Sequence, residues 1–196
     1  MSDALKSFMS TFVTLSDEEY QFFFQQLQAM SLKKGQHLVK AGAVATRLGF
    51  VTKGLFKVYF LNSDGQEYIT NFVSEGNVVG AYSDVLLSRP TKVQIQALEN
   101  SDLIYIDYSF LLELYKRHSC WQEFGRKIAE KLFIEREERE WHLATLSAEA
   151  RYDLFCKQHP SLIDRLAQNQ IALYLGINAV SLSRIRNRRA SKRVGG

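Results

Sequence analysis

The chain has 196 residues, of which 46% are hydrophobic and 23% charged, with two prolines, a composition typical of a globular protein. No apolar run approaches the roughly 18 residues of a membrane span, and the N-terminus lacks the basic-then-apolar order of a secretory signal, so we expect a cytoplasmic location. The net charge of +4 is uneven, because residues 165–196 hold seven of the 25 Lys and Arg and none of the 21 Asp and Glu. Residues 1–164 are left with 18 basic and 21 acidic residues. This asymmetry indicates a polyanion-binding module attached to a nearly neutral body.

The cysteines and histidines do not form a metal-binding pattern. Cys120 and Cys156 are far apart, and the four histidines are equally scattered. Zinc and iron–sulfur sites need three or four ligands brought together. We therefore expect reduced thiols, no metal site and no bound cofactor.

An N-terminal helix is predicted to begin at Ser16, in "SDEEYQFFFQQLQAM". Ser16 and Glu19 have the spacing of a capping box, in which each side chain accepts a hydrogen bond from the other residue's backbone N–H. The apolar positions fall on one helical face that must pack on a core: Tyr20, Phe23, Phe24 and Leu27.

Short alternating runs between Ser31 and Asp107 predict a β-domain. They cover residues 56–60, 67–73, 92–98 and 102–108. Asp64-Gly65 predicts a hairpin turn, because glycine accepts the positive φ that such a turn requires. Several short strands at this spacing indicate an antiparallel barrel or rolled sandwich.

Two helices are predicted after the β-domain. The first is "SFLLELYKRH", and a second capping box, Ser119 with Gln122, opens another of about 27 residues, some 40 Å long. This length exceeds what a small domain needs, and a coiled-coil-like stripe of side chains runs along the helix. We therefore expect the helix to pair with its copy in a second chain. The residues assigned to the pairing are Trp121, Phe124, Ile128, Leu132, Glu135 and Arg139. The alternative is that the stripe packs only on the chain's own β-domain.

A helix-turn-helix is predicted further on. "LAQNQIALYL" and "AVSLSRIRNRRA" are separated by only about three residues, so the two helices must meet at a sharp angle. Gly176 lies where a left-handed residue ends a helix, and Asn178 is a good N-cap. The apolar positions at the crossing are Ile171, Ala172, Leu175, Leu182 and Ile185.

The second of these helices is predicted to turn a polar and basic face outward. With Leu182 and Ile185 facing inward, helical spacing places five residues on the outer side: Val180, Ser183, Arg184, Asn187 and Arg188. Further charge comes from Arg186, Arg189, Lys192 and Arg193. Phosphates would neutralise these repelling cations, so the predicted ligand is double-stranded DNA.

The order of parts resembles the Crp/Fnr family of bacterial transcription regulators. "SLKKGQHLVKAGAVATRLGFVTKGLFKVYF" is similar to the opening strands of the family's β-roll, and "NQIALYLGINAVSLSRIRNRRA" is similar to its DNA-reading unit. The resemblance implies an α+β chain with an antiparallel β-roll or jelly-roll sensor domain, of the cyclic-nucleotide-binding kind, at 1–118. A long dimerisation helix at 119–146 and an all-α helix-turn-helix domain at 147–196 follow, with little or no β-hairpin wing.

The resemblance also implies a function. A homodimer would regulate transcription by placing the helix 179–190 of each subunit in successive major grooves of a near-palindromic site. RNA polymerase is a further implied partner. The family's base-reading positions fall on Ala179, Val180 and Arg184, of which only Arg184 keeps the family's residue. Phosphate contacts are assigned to Gln168, Ser181 and Arg188, and the predicted DNA-binding set is completed by Asn178, Ser183 and Asn187.

The phosphate cassette departs from that of the family's cyclic-nucleotide-binding members. Those members carry Gly-Glu near its start and Arg-Ser later on. At the same spacing from Gly80, this chain has Ala81 for the Glu, Thr91 for the Arg and Lys92 for the Ser. We therefore do not expect cAMP, whose phosphate would lack its bidentate arginine. The candidate pocket for an unidentified effector consists of Gly80, Ala81, Tyr82, Ser83, Arg89, Thr91 and Lys92.

Two other kinds of function are weighed against a regulator. A small-barrel enzyme would need clustered metal ligands or a Ser–His–Asp order, whereas only His37 lies in the β segment, so we do not expect catalysis. An architectural nucleic-acid-binding protein without sequence preference is the alternative. The ratio of specific to non-specific affinity distinguishes it from a regulator.

Overall fold

The computed structural model describes the backbone of residues 2–194 and the side chains of residues 3–189. The strands are β1 (Gln28–Leu32), β2 (His37–Val39), β3 (Arg47–Lys53), β4 (Leu55–Leu61), β5 (Glu67–Ser74), β6 (Val78–Val79), β7 (Gln94–Ala97) and β8 (Ser101–Asp107). The helices are α1 (Ser2–Ser10), α2 (Asp17–Phe24), α3 (Tyr82–Leu86), α4 (Tyr108–Arg117), α5 (Ser119–Thr145), α6 (Ala148–Gln158), α7 (Gln168–Tyr174) and α8 (Ala179–Val194), with a 3₁₀ turn at Pro160–Leu162.

The chain divides into two compact units. The first unit is the chain up to Leu61 together with Thr70–Leu132, and the second is Asn62–Ile69 together with the chain from Phe133 onward. The division falls within α5. The three-part partition at residues 118 and 146 stays a prediction, although α5 covers almost the whole range predicted for the long helix.

Two four-stranded sheets form the β-roll of the first unit, in the orders β1-β8-β3-β6 and β2-β7-β4-β5. Strand β8 pairs antiparallel with both β1 and β3, and β7 pairs antiparallel with both β2 and β4. Alternate residues of each sheet point inward and form one core, which includes Val51 and Leu103 from one sheet and Phe56 and Ile95 from the other. The prediction of an antiparallel β-roll followed by helices is confirmed.

A second core lies between the first sheet and the helices α1, α2, α4 and α5. It contains Met9, Phe23, Ile104 and Trp121, all buried. One of its elements, α1, was not predicted, and the predicted N-terminal helix is too long. Helix α2 ends at Phe24, and Gln28–Leu32 form β1 instead, because these residues pair along β8.

The first predicted capping box is half formed. The Ser16 hydroxyl accepts a hydrogen bond from the Glu19 N–H at 3.2 Å, as predicted. The Glu19 carboxylate, however, accepts from the Trp121 indole N–H at 2.7 Å and from Arg117 Nε at 2.9 Å. The buried Glu19 carboxylate therefore links α2 to the start of α5 by a hydrogen bond.

The second predicted capping box is wrong. Ser119 is already the first residue of α5, and the ring Nδ1 of His118 accepts the hydrogen bond from the Cys120 N–H at 3.2 Å. The Gln122 amide donates to the Tyr115 carbonyl at 2.6 Å. Imidazole thus takes the capping position that the sequence pattern assigned to a hydroxyl.

Candidate nucleic-acid interface

The turn between α7 and α8 has the predicted chemistry. Gly176 has a φ of +67°, and the Ile177 N–H after it bonds to the Ala172 carbonyl at 3.0 Å, which closes the end of α7. Oδ1 of Asn178 then accepts a hydrogen bond from the Ser181 N–H at 2.8 Å and caps the start of α8. The chain therefore leaves one helix and starts the next within four residues, 175–178.

The crossing of the two helices is held by apolar packing. All five residues predicted there are buried in the second unit: Ile171, Ala172, Leu175, Leu182 and Ile185. Leu182 is fully excluded from solvent. Because the inward face of α8 is fixed by this core, its opposite face is fixed as well.

The opposite side of α8 and its cap forms an exposed surface, called here the recognition face. It consists of Asn178, Ala179, Val180, Ser183, Arg184, Asn187 and Arg188, all exposed. Val180 is 60% exposed, which is high for an apolar residue in a packed helical unit. Gln168 is exposed at the first turn of α7, and Ser181 is half-buried. Seven of the nine predicted DNA-binding residues therefore share one surface.

The arginines of α8 differ in how they are held. Arg184 is exposed and forms no ion pair with any other residue that the structure describes. Arg188 is 64% exposed and lies 3.9 Å from a Glu149 carboxylate oxygen. Arg189 is bound to α6, with Nη1 at 3.1 Å from Asp153 Oδ1 and its guanidinium over the Tyr152 ring. The side chains of Lys192 and Arg193 lie outside the described residues.

Two further arginines brace the carbonyl end of α7. Arg151 Nε donates to the Leu175 carbonyl at 3.0 Å, and its Nη1 donates to the Leu146 carbonyl at 2.7 Å. Arg139 Nη2 donates to the Tyr174 carbonyl at 2.9 Å, and its guanidinium stacks on the Tyr174 ring at 4.0 Å. The last carbonyls of a helix lack partners within the helix and carry its negative dipole end, so these cations stabilise α7 directly.

Four of the six residues predicted for dimerisation face the interior of the first unit. Trp121 is fully buried in the chain's own core, so its assignment to a subunit contact is wrong. Phe124, Ile128 and Leu132 line a cavity within the first unit. Arg139 is half-buried and makes the intrachain bonds to α7 described above, whereas Glu135 is exposed, so the assignment of these two residues stays a prediction. For Trp121, the alternative of packing on the chain's own β-domain is the correct one.

A different side of α5 carries exposed apolar residues. Phe133, Ile134 and Trp141 are 65%, 55% and 58% exposed. At 3.6 residues per turn they fall within about 100° of one another, and opposite to Leu132 and Arg139. We call these three residues the apolar face of α5.

The predicted effector-pocket residues gather around α3, in the cassette 80–92. Asp84, which was not assigned to that pocket, lies at its centre and is 2% exposed. Its carboxylate accepts hydrogen bonds from Arg89 Nε at 2.7 Å and from Thr91 Oγ1 at 2.8 Å. Burial raises the pKa of Asp84, but the hydrogen bonds from Arg89 and Thr91 outweigh it and hold the pKa below its usual value. The buried group is therefore a carboxylate with two internal donors.

The other cassette residues surround this cluster. Ala81 and Thr91 are buried, Tyr82 and Gly80 are half-buried, and the remaining three are exposed: Ser83, Arg89 and Lys92. Gly80 is closely packed, since a Cβ there would lie 2.9 Å from Leu48 Cδ2. Ala81 takes the place of the glutamate in the nucleotide-binding pattern. Its side chain is buried among apolar neighbours.

Two surveys of the described part of the chain bear on other functions. Among these residues, no group of three or more His, Cys, Asp and Glu is arranged to hold a metal ion. No described helix is long and apolar enough to cross a membrane.

Comparisons with known proteins agree with this geometry. Residues 29–118 match the cyclic nucleotide-binding domain family. The chain is 28% identical over 167 residues to the transcriptional activator protein Anr of Pseudomonas protegens, a match that covers 79% of this chain and 67% of Anr. Residues 29–118 therefore form a cyclic nucleotide-binding domain, and the chain resembles the Crp/Fnr regulators over most of its length.

Solved structures share the Crp/Fnr fold of the chain. FixK2 from Bradyrhizobium japonicum superposes with a TM-score of 0.74 at 17% identity, and the match covers 85% of each chain. A Crp/Fnr regulator from Eubacterium rectale superposes with a TM-score of 0.70 at 16% identity, over 91% of this chain and 85% of that one. At these identities the likeness concerns the fold alone.

Sequence reasoning missed three features of this chain. Asp84 was left out of the predicted pocket, although its spacing to Arg89 and Thr91 within one short loop could have suggested an ion pair. The exposed positions of Phe133, Ile134 and Trp141 were overlooked because the stripe on the other side of the helix is longer. Arg151 carries no local signal, since its partners are backbone carbonyls of other segments.

Proposed function

We propose that this protein is a transcription regulator of the Crp/Fnr type that binds a near-palindromic duplex as a homodimer, through the recognition face of α8. The observation that carries the proposal is the exposure of Arg184 on that face. Arg184 is exposed, has no described ion-pair partner and sits on a helix whose inward side is fixed by buried Leu182 and Ile185. An exposed guanidinium on a helix of fixed orientation is suited to bind an anionic or acceptor-rich ligand.

The roles within the recognition face follow from side-chain chemistry. Arg184 can donate two parallel hydrogen bonds to O6 and N7 of a guanine in the major groove. Ala179 and Val180 offer apolar contact to thymine methyl groups. Gln168, Ser181 and Arg188 are assigned to phosphates, where contacts set the register of the protein on the duplex. Asn178, Ser183 and Asn187 complete the surface.

The homodimer is proposed to form through the apolar face of α5. Burying large side chains such as Phe133, Ile134 and Trp141 would stabilise a dimer by about 1.5–3 kcal/mol each before the cost of association. A second copy of the chain presents the same residues, so a two-fold interface between these helices is self-complementary. This face replaces the opposite stripe from which dimerisation was first predicted.

Control by cAMP is not part of the proposal. Thr91, which stands in the place of the family's arginine, and nearby Arg89 are both bound to Asp84. A cyclic phosphate brought near Asp84 would face a buried like charge, which is unfavourable at such short range.

The proposal is tested by the ratio of affinities at fixed salt. Genomic fragments selected with the purified protein would yield an operator, and binding to it should exceed binding to random duplex by about a thousandfold or more. A ratio near one would identify an architectural binder and reject the regulator.

Two arginine variants test the assignment of roles. Arg184→Ala should relax discrimination at one base pair, with a loss of about 1–3 kcal/mol. Arg188→Ala should weaken all duplexes alike and reduce the salt slope by about 1. Arg47→Ala is the control, because Arg47 is an exposed arginine of the first unit paired with Asp107. Identical behaviour of the two α8 variants would contradict the separate roles.

A further inference from the structure

A cavity of about 130 Å³ lies in the first unit, between the first sheet and the helices that cover it. Helices α1, α2, α4 and α5 contribute side chains such as Met9, Phe23, Leu111 and Ile128. Strands β3, β6 and β8 form the opposite wall. The lining residues include no Asp, Glu, Lys, Arg or His. An ion inside this cavity would find no counter-charge, and burying an unpaired ion is prohibitively costly.

Three tyrosines supply the polar side-chain atoms of the lining: Tyr82, Tyr105 and Tyr115. The Tyr105 hydroxyl is already engaged, since it donates to Gln28 Oε1 at 2.7 Å. The hydroxyls of Tyr82 and Tyr115 form no hydrogen bond with any other residue that the structure describes. Two phenol groups in one apolar cavity are therefore available to a molecule inside it.

The position of the Tyr115 hydroxyl depends on a glycine in α5. A Cβ at Gly125 would lie only 2.1 Å from this hydroxyl oxygen, so any other residue there would displace it. Burial, together with the neighbouring Tyr82 and Tyr108, raises the pKa of Tyr115 to about 12. Tyr115 thus stays a neutral phenol that can donate or accept one hydrogen bond at any physiological pH.

The dimensions limit what the cavity can hold. An apolar cavity of about 150 Å³ in another protein binds benzene or xenon, whereas drug-sized ligands occupy about 300–1,000 Å³. The occupant must therefore be close to a single six-membered ring in size. It must be uncharged, and its affinity is highest if one polar group forms a hydrogen bond with a tyrosine hydroxyl.

We propose that this cavity is a binding site for a small uncharged molecule that is apolar over most of its surface and carries one hydrogen-bonding group, such as a monocyclic phenol. The site is separate from the cassette carboxylate cluster of Asp84, Arg89 and Thr91. The proposal goes beyond the regulation of transcription and does not depend on it, because binding can be measured on the full chain without DNA.

The experiment titrates the full chain with p-cresol, toluene and benzoate. Thermal unfolding and NMR of ¹³C-labelled methyl groups of Met9, Ile128 and Leu132 report binding and its location. We expect p-cresol and toluene to raise the Tm and shift these methyl signals, and benzoate, which is anionic, to do neither. Unchanged Tm and methyl signals with p-cresol and toluene up to their solubility limits would overturn the proposal.

Tyrosine variants test the polar part of the site. Tyr82→Phe removes the hydroxyl and keeps the ring, so p-cresol should bind about three- to tenfold more weakly while toluene affinity changes by less than about twofold. Tyr108→Phe is the matched control, because Tyr108 packs against the core between the first sheet and the helices but does not line the cavity. Tyr115→Phe is a second variant if Tyr82→Phe does not fold. Equal weakening by Tyr82→Phe and Tyr108→Phe would contradict the role of the hydroxyl.

Discussion

Glu19 shows how much a single buried carboxylate can connect. It is 7% exposed and accepts hydrogen bonds from both the Trp121 indole and the Arg117 guanidinium. Both donors belong to segments about a hundred residues further along the chain. The residue that the sequence pattern assigned to a local cap therefore connects three helices of the first unit, α2, α4 and α5.

Replacing Glu19 by alanine should lower the free energy of unfolding by about 1–3 kcal/mol, because the buried indole N–H would lose its partner. Chemical denaturation followed by fluorescence measures this. Glu18→Ala is the matched control. Glu18 is 82% exposed and bonds the same arginine at 3.1 Å, so its loss should cost at most about 1 kcal/mol. Similar losses for both variants would show that burial of Glu19 is unimportant.

His159 gives the second unit a dependence on pH. Burial holds the pKa of His159 below its ordinary value, although nearby Glu135 offsets part of this shift. The folded state thus binds the proton less readily than the unfolded state, whose histidine titrates near about 6.5. The free energy of unfolding should be greatest above that pH and should fall as the pH drops towards the lower folded pKa. His159→Gln should flatten this dependence in denaturation curves recorded between pH 5 and pH 8. An unchanged slope would refute the assignment.

At the scale of the elements, the α7–α8 turn is set by local backbone chemistry. The space beside Gly176 is open, since the nearest heavy atom to an added Cβ would be Leu143 Cδ2 at 3.5 Å, an ordinary contact. Any cost of a side chain at this position must therefore come from its positive φ and not from a clash.

Gly176→Ala should lower the free energy of unfolding of the second unit by about 1–2 kcal/mol, the cost of left-handed backbone for a residue with a Cβ. Gly176→Asn should cost less, because asparagine tolerates this region. Calorimetry of the two variants provides the comparison. The interpretation fails if alanine is as stable as glycine, or if asparagine costs more than alanine.

The elements also show which inferences a sequence can support. The turn glycine, the Asn178 cap and the buried residues of α7 and α8 are close in sequence, so their pattern was sufficient to predict them. Residues 28–30 were assigned to a helix because their local pattern does not reveal that β8 will pair with them. The stripe containing Trp121 and Leu132 predicted an apolar face correctly, but a periodic pattern does not say which surface covers that face.

At the scale of the whole molecule, the proposed homodimer depends on the side of α5 that carries Phe133, Ile134 and Trp141. Ile134→Glu and Trp141→Glu should convert the proposed homodimer to monomers, because a charge buried in the interface has no partner. Sedimentation velocity measures the mass in solution. Lys53→Glu introduces the same charge at an exposed position of β3, outside α5, and should leave the dimer intact. A dimer that survives both substitutions would exclude this interface.

The carboxylate of Asp84 has a consequence for any anion that approaches the cassette. Because it is tethered a few residues from Arg89, it acts on that guanidinium at the high effective concentration of an intramolecular partner, in the millimolar range or above. A free anion would have to compete at comparable concentration to take its place. Phosphorylated metabolites at lower concentrations should therefore leave the Arg89–Asp84 pair undisturbed, even when their concentrations change.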